Sequence, residues 1–345
     1  MKAIRIHAHG GLDQLRIDDL PSPQPGPRQV LIEIKAAALN QLDLWVRKGI
    51  PGVPLPVIMG ADAAGVVREV GSGVTQFKPG DRVVGQPGAG CGLCQECKDG
   101  RENYCLRYGI AGEHFDGYQA QLVALDESMV LPLPAGISFD EAAAIPLVYL
   151  TAWDMLVNKA RIKPGDTVLA FAASSGVGGA AVQIARMHGA RVFTTAGTAK
   201  LERAMGLGAD AVLDHYKQDI AKEIKTLTAG RGVDIVVDHV GVATWTAATR
   251  SLAKGGRLVL CGSTTGPEVK IDLRFLFLRQ QSILGSTMGT RGDMLRIMQY
   301  CGPQAATGKL RGIVDRIFPF TDVGAAHQHL ESGQHFGKVI LKFAD

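Results

Sequence analysis

The sequence predicts an α/β protein of two domains, a β-rich domain followed by a doubly wound parallel sheet. Three observations carry this prediction. The length, 345 residues, exceeds what one hydrophobic core usually serves. Residues 1–147 show many short strand patterns with closely spaced turn signals. From Ser138 onward, strand and helix patterns alternate instead. With 46% hydrophobic and 20% charged residues the chain reads as an ordinary soluble globular protein, and its 43 glycines sit mostly at turns and strand ends. The formal charge of +4, with no basic cluster interleaved with aromatics, argues against nucleic acid as a partner.

Strands of the first domain are expected at 30–34, after a proline-rich loop, at 65–71 and at 82–84. A single helix is expected over 139–158, with Ser138 as N-cap and Glu141 three residues on. Strands then follow at 167–171, 191–194, 211–213, 233–237 and 257–260, with helices at 178–188, 200–207, 220–228 and 244–252 between them. The tail after 285 returns to the first domain and ends in a strand at 338–343. Residues 275–278 and 282–284 read either as an edge strand that pairs across a two-fold axis or as core. Residues 1–10 enter a strand pattern without a secretory core, and no apolar run is long enough for a bilayer. A cytoplasmic location, with no membrane partner, is the expectation.

The turn from Ala172 to Gly179 lies between a strand and a helix, where a dinucleotide fingerprint belongs. Ala173 and Ser175 stand where the first two glycines of G-x-G-x-x-G would be, and Gly178 fits the last. Small residues still permit close approach to a pyrophosphate, and the helix end supplies N–H groups. Ser174, Ser175, Gly176 and Val177 are therefore candidate cofactor contacts, with Gly262 after a later strand. A ligand-free turn is the alternative. NAD sites generally place an acid at the end of the second strand. Residues 194–200 carry none, whereas Thr198 and Lys200 can donate to a 2′-phosphate, so NADPH is expected.

Cys91, Cys94, Cys97 and Cys105 have the spacing C-x2-C-x2-C-x7-C. In a reducing compartment such a cluster reads as a closed, structural zinc site. Free or oxidised thiols and an iron–sulfur cluster are the alternatives. Cys261 and Cys301 read as packed small apolar groups.

A β-rich domain, this cysteine loop and a dinucleotide domain together resemble the zinc-containing alcohol dehydrogenases and quinone oxidoreductases of the medium-chain dehydrogenase/reductase superfamily. The resemblance covers essentially the whole chain. It implies a GroES-like domain over 1–147 and 286–345, a Rossmann domain over 148–285, and a homodimer or homotetramer. Members with a catalytic zinc carry Cys, Gly-His-Glu, and Cys or Glu at three places that here read Asn40, Gly60-Ala61-Asp62 and Leu147. Leu42 replaces a proton-relaying hydroxyl. Asp43, Asp62 and His114 have no recognisable spacing for another ion. Asn40 to Asp43 and Leu150 to Ala152 instead resemble the quinone oxidoreductase and enone reductase branch. In that branch Tyr216 resembles the residue flanking the 2′-phosphate and Lys338 a C-terminal cofactor contact.

What this implies is hydride transfer from NADPH to an activated C=C (enal, enone) or a quinone, without catalytic zinc. Asn40 and Thr151 are the expected positioning groups, Asp43 a brace for its loop, Trp45 a cleft wall, and Tyr149 either core or a proton donor. Two rivals stay open: an alcohol or carbonyl dehydrogenase with an atypical metal set, and a non-catalytic NADPH-binding scaffold.

Overall fold

The computed structural model describes residues 1–302 and 310–343, with the side chain of Phe275 outside that description. The chain divides into two compact units, Met1–Leu147 with Thr290–Asp345, and Val148–Gly289. The sequence reading put the return to the first unit at 286. The backbone leaves later because Ser286 Oγ still donates to Asp154, at 2.6 Å, and Gly289 N to Leu150 O. Thr290 then opens the helix Arg291–Gln299, its hydroxyl accepting from Asp293 N while Asp293 accepts from Thr290 N.

The first unit is built on β1 (Lys2–Ile6), β2 (Arg16–Asp19), β3 (Gln29–Ala38), β4 (Val57–Ile58), β5 (Asp62–Val70), β6 (Arg82–Gly85), β7 (Gly88–Ala89), β8 (Gly109–Ile110), β9 (Leu122–Asp126) and β10 (Val130–Pro132). In the second, β11 (Thr167–Ala170), β12 (Arg191–Ala196), β13 (Ala211–Asp214), β14 (Val233–Asp238), β15 (Leu252–Leu260) and β16 (Ser282–Gly285) follow, before β17 (Val314–Pro319) and β18 (Lys338–Lys342) rejoin the first. Alternating apolar residues of β1, β3, β5 and β18 close the first core around Ile4, Ile32, Val67, Tyr118 and Leu341. β18 arrives from the far end of the chain and pairs antiparallel with β3, whose other edge pairs with β5.

The second unit is a six-stranded sheet, all parallel, ordered β13-β12-β11-β14-β15-β16. Its central strands β11 and β14 are nearly continuous runs of buried residues, mostly apolar, as a sheet covered on both faces requires. β11 is flanked by β12 and β14, so the strand order reverses there and opens a crevice at the carboxyl ends.

Two expectations need correction. The helix expected over 139–158 is broken: Phe139–Ala143 ends, Pro146–Trp153 begins, and a π-helical segment Asp154–Lys159 follows. Pro146 has no N–H for a continuous helix and suits the first position of a new one. Residues 275–278 are not strand. They lie in the helix Leu273–Arg279, which is free of β-branched residues and capped by Asp272 accepting from Arg274 N at 3.0 Å. Only Ser282–Gly285 forms the edge strand. No helix among the described residues is long and apolar enough to cross a membrane.

Candidate functional site

Three adjacent strands of the first unit deliver the residues around Asn40. Register pairs Ala38 with Asp62 and Ile340 with Ala38, while Leu39 N donates to Val339 O. The first residues of β5 and β18, Asp62 and Lys338, are thereby brought to Asn40, just past the end of β3. All three are buried, Asn40 at 5%, Asp62 at 0% and Lys338 at 3% exposure. The Lys338 ammonium donates to Asn40 Oδ1 and, at 3.0 Å, to Asp62 Oδ2. Asn40 Nδ2 donates to the same carboxylate oxygen at 2.9 Å, and Leu147 N donates to Asp62 Oδ1 at 2.8 Å.

Asn40 also caps the helix Gln41–Lys48, its N–H donating to Asp43 Oδ2 at 2.7 Å. Gln119 Nε2 reaches Asp43 Oδ1 at 3.2 Å. Burial pushes the Asp43 carboxyl up to about 7, against the pull of the Asn40 N–H and Lys338. The far end of that helix is tied down where buried Arg47 meets Glu331 at 2.5 Å. Asp43 is a brace in the geometry, while half-exposed Trp45 lies outside this hydrogen-bonded group. His114 is held elsewhere, its Nδ1 accepting from Ile110 N at 3.1 Å.

A zinc ion does not fit the Asn40 cluster. The Asn40 amide and the Asp62 carboxylate already take hydrogen bonds from Lys338, both oxygens of the Asp43 carboxylate are engaged by Asn40 N and Gln119, and Leu147 offers only an N–H. The cysteine loop is the opposite case. Among the described residues one group of His, Cys, Asp or Glu is arranged for a metal, and it is Cys91, Cys94, Cys97 and Cys105, with sulfurs all within 4.8 Å of one another. Cys94 and Cys97 are 3.6 Å apart and Cys91 and Cys97 4.0 Å. A zinc tetrahedron with Zn–S bonds of about 2.3 Å has edges of about 3.8 Å. Leu93 N and Cys94 N each donate to Cys91 Sγ at 3.4 Å and bring its thiol down to about 5, so the thiolate is favoured.

In the second unit the fingerprint turn follows β11. Ala172 takes a left-handed φ of 54°. A Cβ on Gly178 would stand 2.1 Å from Ala172 O, so helix and strand pack too closely for any side chain there. Ser175 caps the helix Gly176–Met187, accepting from Gly178 N at 2.9 Å, and its Oγ also meets His239 Nε2 at 2.9 Å. The N–H groups of Gly176 and Val177 open the helix and have no acceptor within its first turn. Register places Val237 beside Ala170, so the Ser175–His239 bond spans the crevice where the strand order reverses. Gly262 flanks His239, whose carbonyl lies 3.1 Å from where a Cβ would be. A nicotinamide dinucleotide fits this cradle of small residues and open N–H donors.

At the end of β12, Ala196 pairs with Asp214 on the neighbouring strand. The Thr198 hydroxyl donates to Asp214 Oδ2 at 2.5 Å, and that bond holds the carboxyl below its usual range. Tyr216 stands exposed, its N–H on Asp214 and its ring against Gly197. Reading residue by residue along the second strand missed Asp214 because strand pairing, not sequence proximity, supplies it. His239 was missed for the same reason. Its only signal in the sequence is its place after a predicted strand. Thr151 is buried in the helix Pro146–Trp153, and Tyr149 OH accepts from Gln183 at 2.6 Å, as a core phenol does.

Residues 26–135 match the family model described as alcohol dehydrogenase GroES-like domain, and residues 176–301 the one described as zinc-binding dehydrogenase. An acryloyl-coenzyme A reductase of Metallosphaera sedula is 30% identical over 99% of both chains. The quinone oxidoreductase of Homo sapiens is 29% identical over 99% of this chain and 97% of its own. A solved structure described as an NAD-dependent alcohol dehydrogenase superposes with a TM-score of 0.95 at 46% identity, covering all of both chains.

Proposed function

Because the chain belongs to the medium-chain dehydrogenase/reductase superfamily, we propose that it is a reductase of carbon–carbon double bonds activated by a carbonyl, or of quinones, working without a metal at the substrate. The observation that carries this reading is the Lys338 ammonium seated on Asn40 and Asp62, where the family's zinc-dependent members are expected to gather ligands. Relatives named for an acryloyl thioester and for quinones agree with it.

A reduced nicotinamide, when bound, supplies the hydride. The chain's own part is to hold the substrate oxygen on which negative charge grows as the β-carbon is reduced. Asn40 is fixed for this: Lys338 occupies its Oδ1 and Asp62 one Nδ2 proton, which leaves the second N–H without an acceptor among the described residues. One N–H of Lys338 is likewise left over. Thr151 is the second positioning group. Protonation of the α-carbon is assigned to water.

NADPH is the proposed cofactor. Lys200, whose ammonium adds to burial in holding the His215 pKa down, and exposed Tyr216 support it as the surroundings of a 2′-phosphate. NADH is the second reading, favoured by Asp214, which already takes the Thr198 hydroxyl. The edge strand β16 with exposed Phe277 and Leu278 beside it supports a homodimer; a cytoplasmic location remains part of the proposal. Oxidation of NADPH and of NADH is followed against an enal, an enone, a quinone, an acryloyl thioester and an aldehyde, with zinc counted per chain. Reduction of the first four with one zinc per chain is the expected result. Aldehyde reduction lost to a chelator and restored by zinc would replace the reading by a metal dehydrogenase; tight binding without turnover would replace it by a scaffold.

A further inference from the structure

Resting on the second unit as a dinucleotide site, we propose that His239 takes up a proton when the dinucleotide diphosphate binds, because a charged imidazole both donates to Ser175 Oγ, freeing that hydroxyl for the diphosphate, and answers the diphosphate's negative charge. The chemistry follows from two bonds. Ser175 Oγ accepts from Gly178 N and meets His239 Nε2, both at 2.9 Å. With a neutral ring whose Nε2 is an acceptor, the hydroxyl proton of Ser175 is consumed by the imidazole. The turn then offers an anion only the N–H groups of Gly176 and Val177, and a hydroxyl lone pair stands close by. With a protonated ring, Nε2 donates to Ser175 Oγ instead. The oxygen now accepts twice, and its own proton turns away from both partners. No bond is made or broken except N–H on the ring, and the proton comes from solvent.

The surroundings set which state prevails. Burial holds the imidazole below its ordinary pKa, opposed by Asp238, whose carboxylate accepts from Val240 N and from the Thr244 hydroxyl. The Phe171 carbonyl, one residue past β11, also favours the charged ring. From the end of β15 comes Cys261, its thiol pushed up to about 12 by burial and therefore uncharged. The fingerprint turn from Ala172 to Ser175 carries no charged side chain. The free protein therefore keeps His239 neutral near pH 7, and two phosphate charges at this helix end draw the proton in. His239 acts through Ser175 and is a positioning residue for the cofactor.

Titration calorimetry of the whole protein with NADH, whose diphosphate does not titrate between pH 6 and 9, reads proton uptake directly from the dependence of heat on buffer ionisation enthalpy. Wild type is expected to take up part of a proton near pH 7.5 and to weaken up to tenfold per pH unit above it. His239→Asn keeps a hydrogen-bond partner for Ser175 that cannot titrate; its uptake falls to zero and its affinity profile flattens. Ser175→Thr retains the hydroxyl and the uptake, whereas Ser175→Ala loses it, with circular dichroism and bound zinc confirming the fold of each. Binding of NADH with no uptake in wild type, or equal uptake in His239→Asn, overturns the inference and leaves the dinucleotide site standing. Failure of both NADH and NADPH to bind removes that site and the inference together.

Discussion

The cysteine loop and the Asn40 cluster both gather electron-rich atoms around one point, and they balance charge in opposite ways. Around Cys91, Cys94, Cys97 and Cys105 the donors are weak backbone N–H···S bonds and the Arg107 guanidinium, which meets Cys91 from the rim of the loop. Around Asn40 the sheet itself delivers an ammonium, so buried Asp62 is neutralised by a covalent part of the chain. The cysteine loop turns its four thiols toward one point, whereas the strand ends at Asn40 carry their own cation and keep N–H donors for an oxygen.

The loop gives the larger test. Thiols crowded this closely cannot all ionise without an ion, with Cys97 pushed up to about 12 chiefly by burial, and structural zinc contributes about 10 kcal/mol or more in small zinc sites. Cys97→Ser is expected to release zinc and to open residues 91–105 to protease, with a large fall in the unfolding midpoint. Zinc release is read with a chromogenic chelator and opening by limited proteolysis. Retention of one zinc per chain with an unchanged midpoint would show that the loop is held by its hydrogen bonds alone.

The Asn40 cluster comes next in size. Lys338→Met removes the ammonium at nearly constant volume and leaves Asp62 buried without its partner, which costs about 3–5 kcal/mol in stability. The double variant Lys338→Met with Asp62→Asn is expected to recover most of it. Asn40 can then turn its amide so that Oδ1 accepts from the new Asn, while Leu147 N keeps its acceptor. Urea unfolding of both variants measures this. No recovery in the double variant would mean that the ammonium's packing, not its charge, holds the three strand ends together.

These two regions also differ in how readable they were. The cysteine ligands span fifteen consecutive positions, 91–105, so spacing alone implied their geometry. Asn40 and Lys338 are 298 positions apart and meet only through the register of β5, β3 and β18, which periodicity does not specify. The parallel sheet was legible because its central strands are short buried runs that alternate with helices. Asp214 and His239 were not, since each depends on which strand lies beside which. The break before Pro146 follows from a local rule, a missing N–H, that the apolar helical pattern on either side outweighed in the reading.

Asp43 gives the smallest effect and the finest view of the cluster's charge. Its carboxyl is raised from 3.8 to about 7, chiefly by burial. The folded chain thus holds this proton more tightly than the unfolded one. The stability it contributes is complete below pH 3.8 and is lost as pH rises through about 7. Within that window the slope approaches about 1.4 kcal/mol per pH unit for one proton. Asp43→Asn keeps an acceptor for Asn40 N and cannot titrate, so the stability difference between variant and wild type should grow from pH 5 to 7 in favour of the variant and level off at pH 8. His327, held neutral by burial at about 3, has the opposite slope at lower pH, but it is common to both proteins and cancels in the difference. A difference that stays constant across pH 5–8 would mean that Asp43 is ionised throughout, with Lys338 answering two carboxylates instead of one.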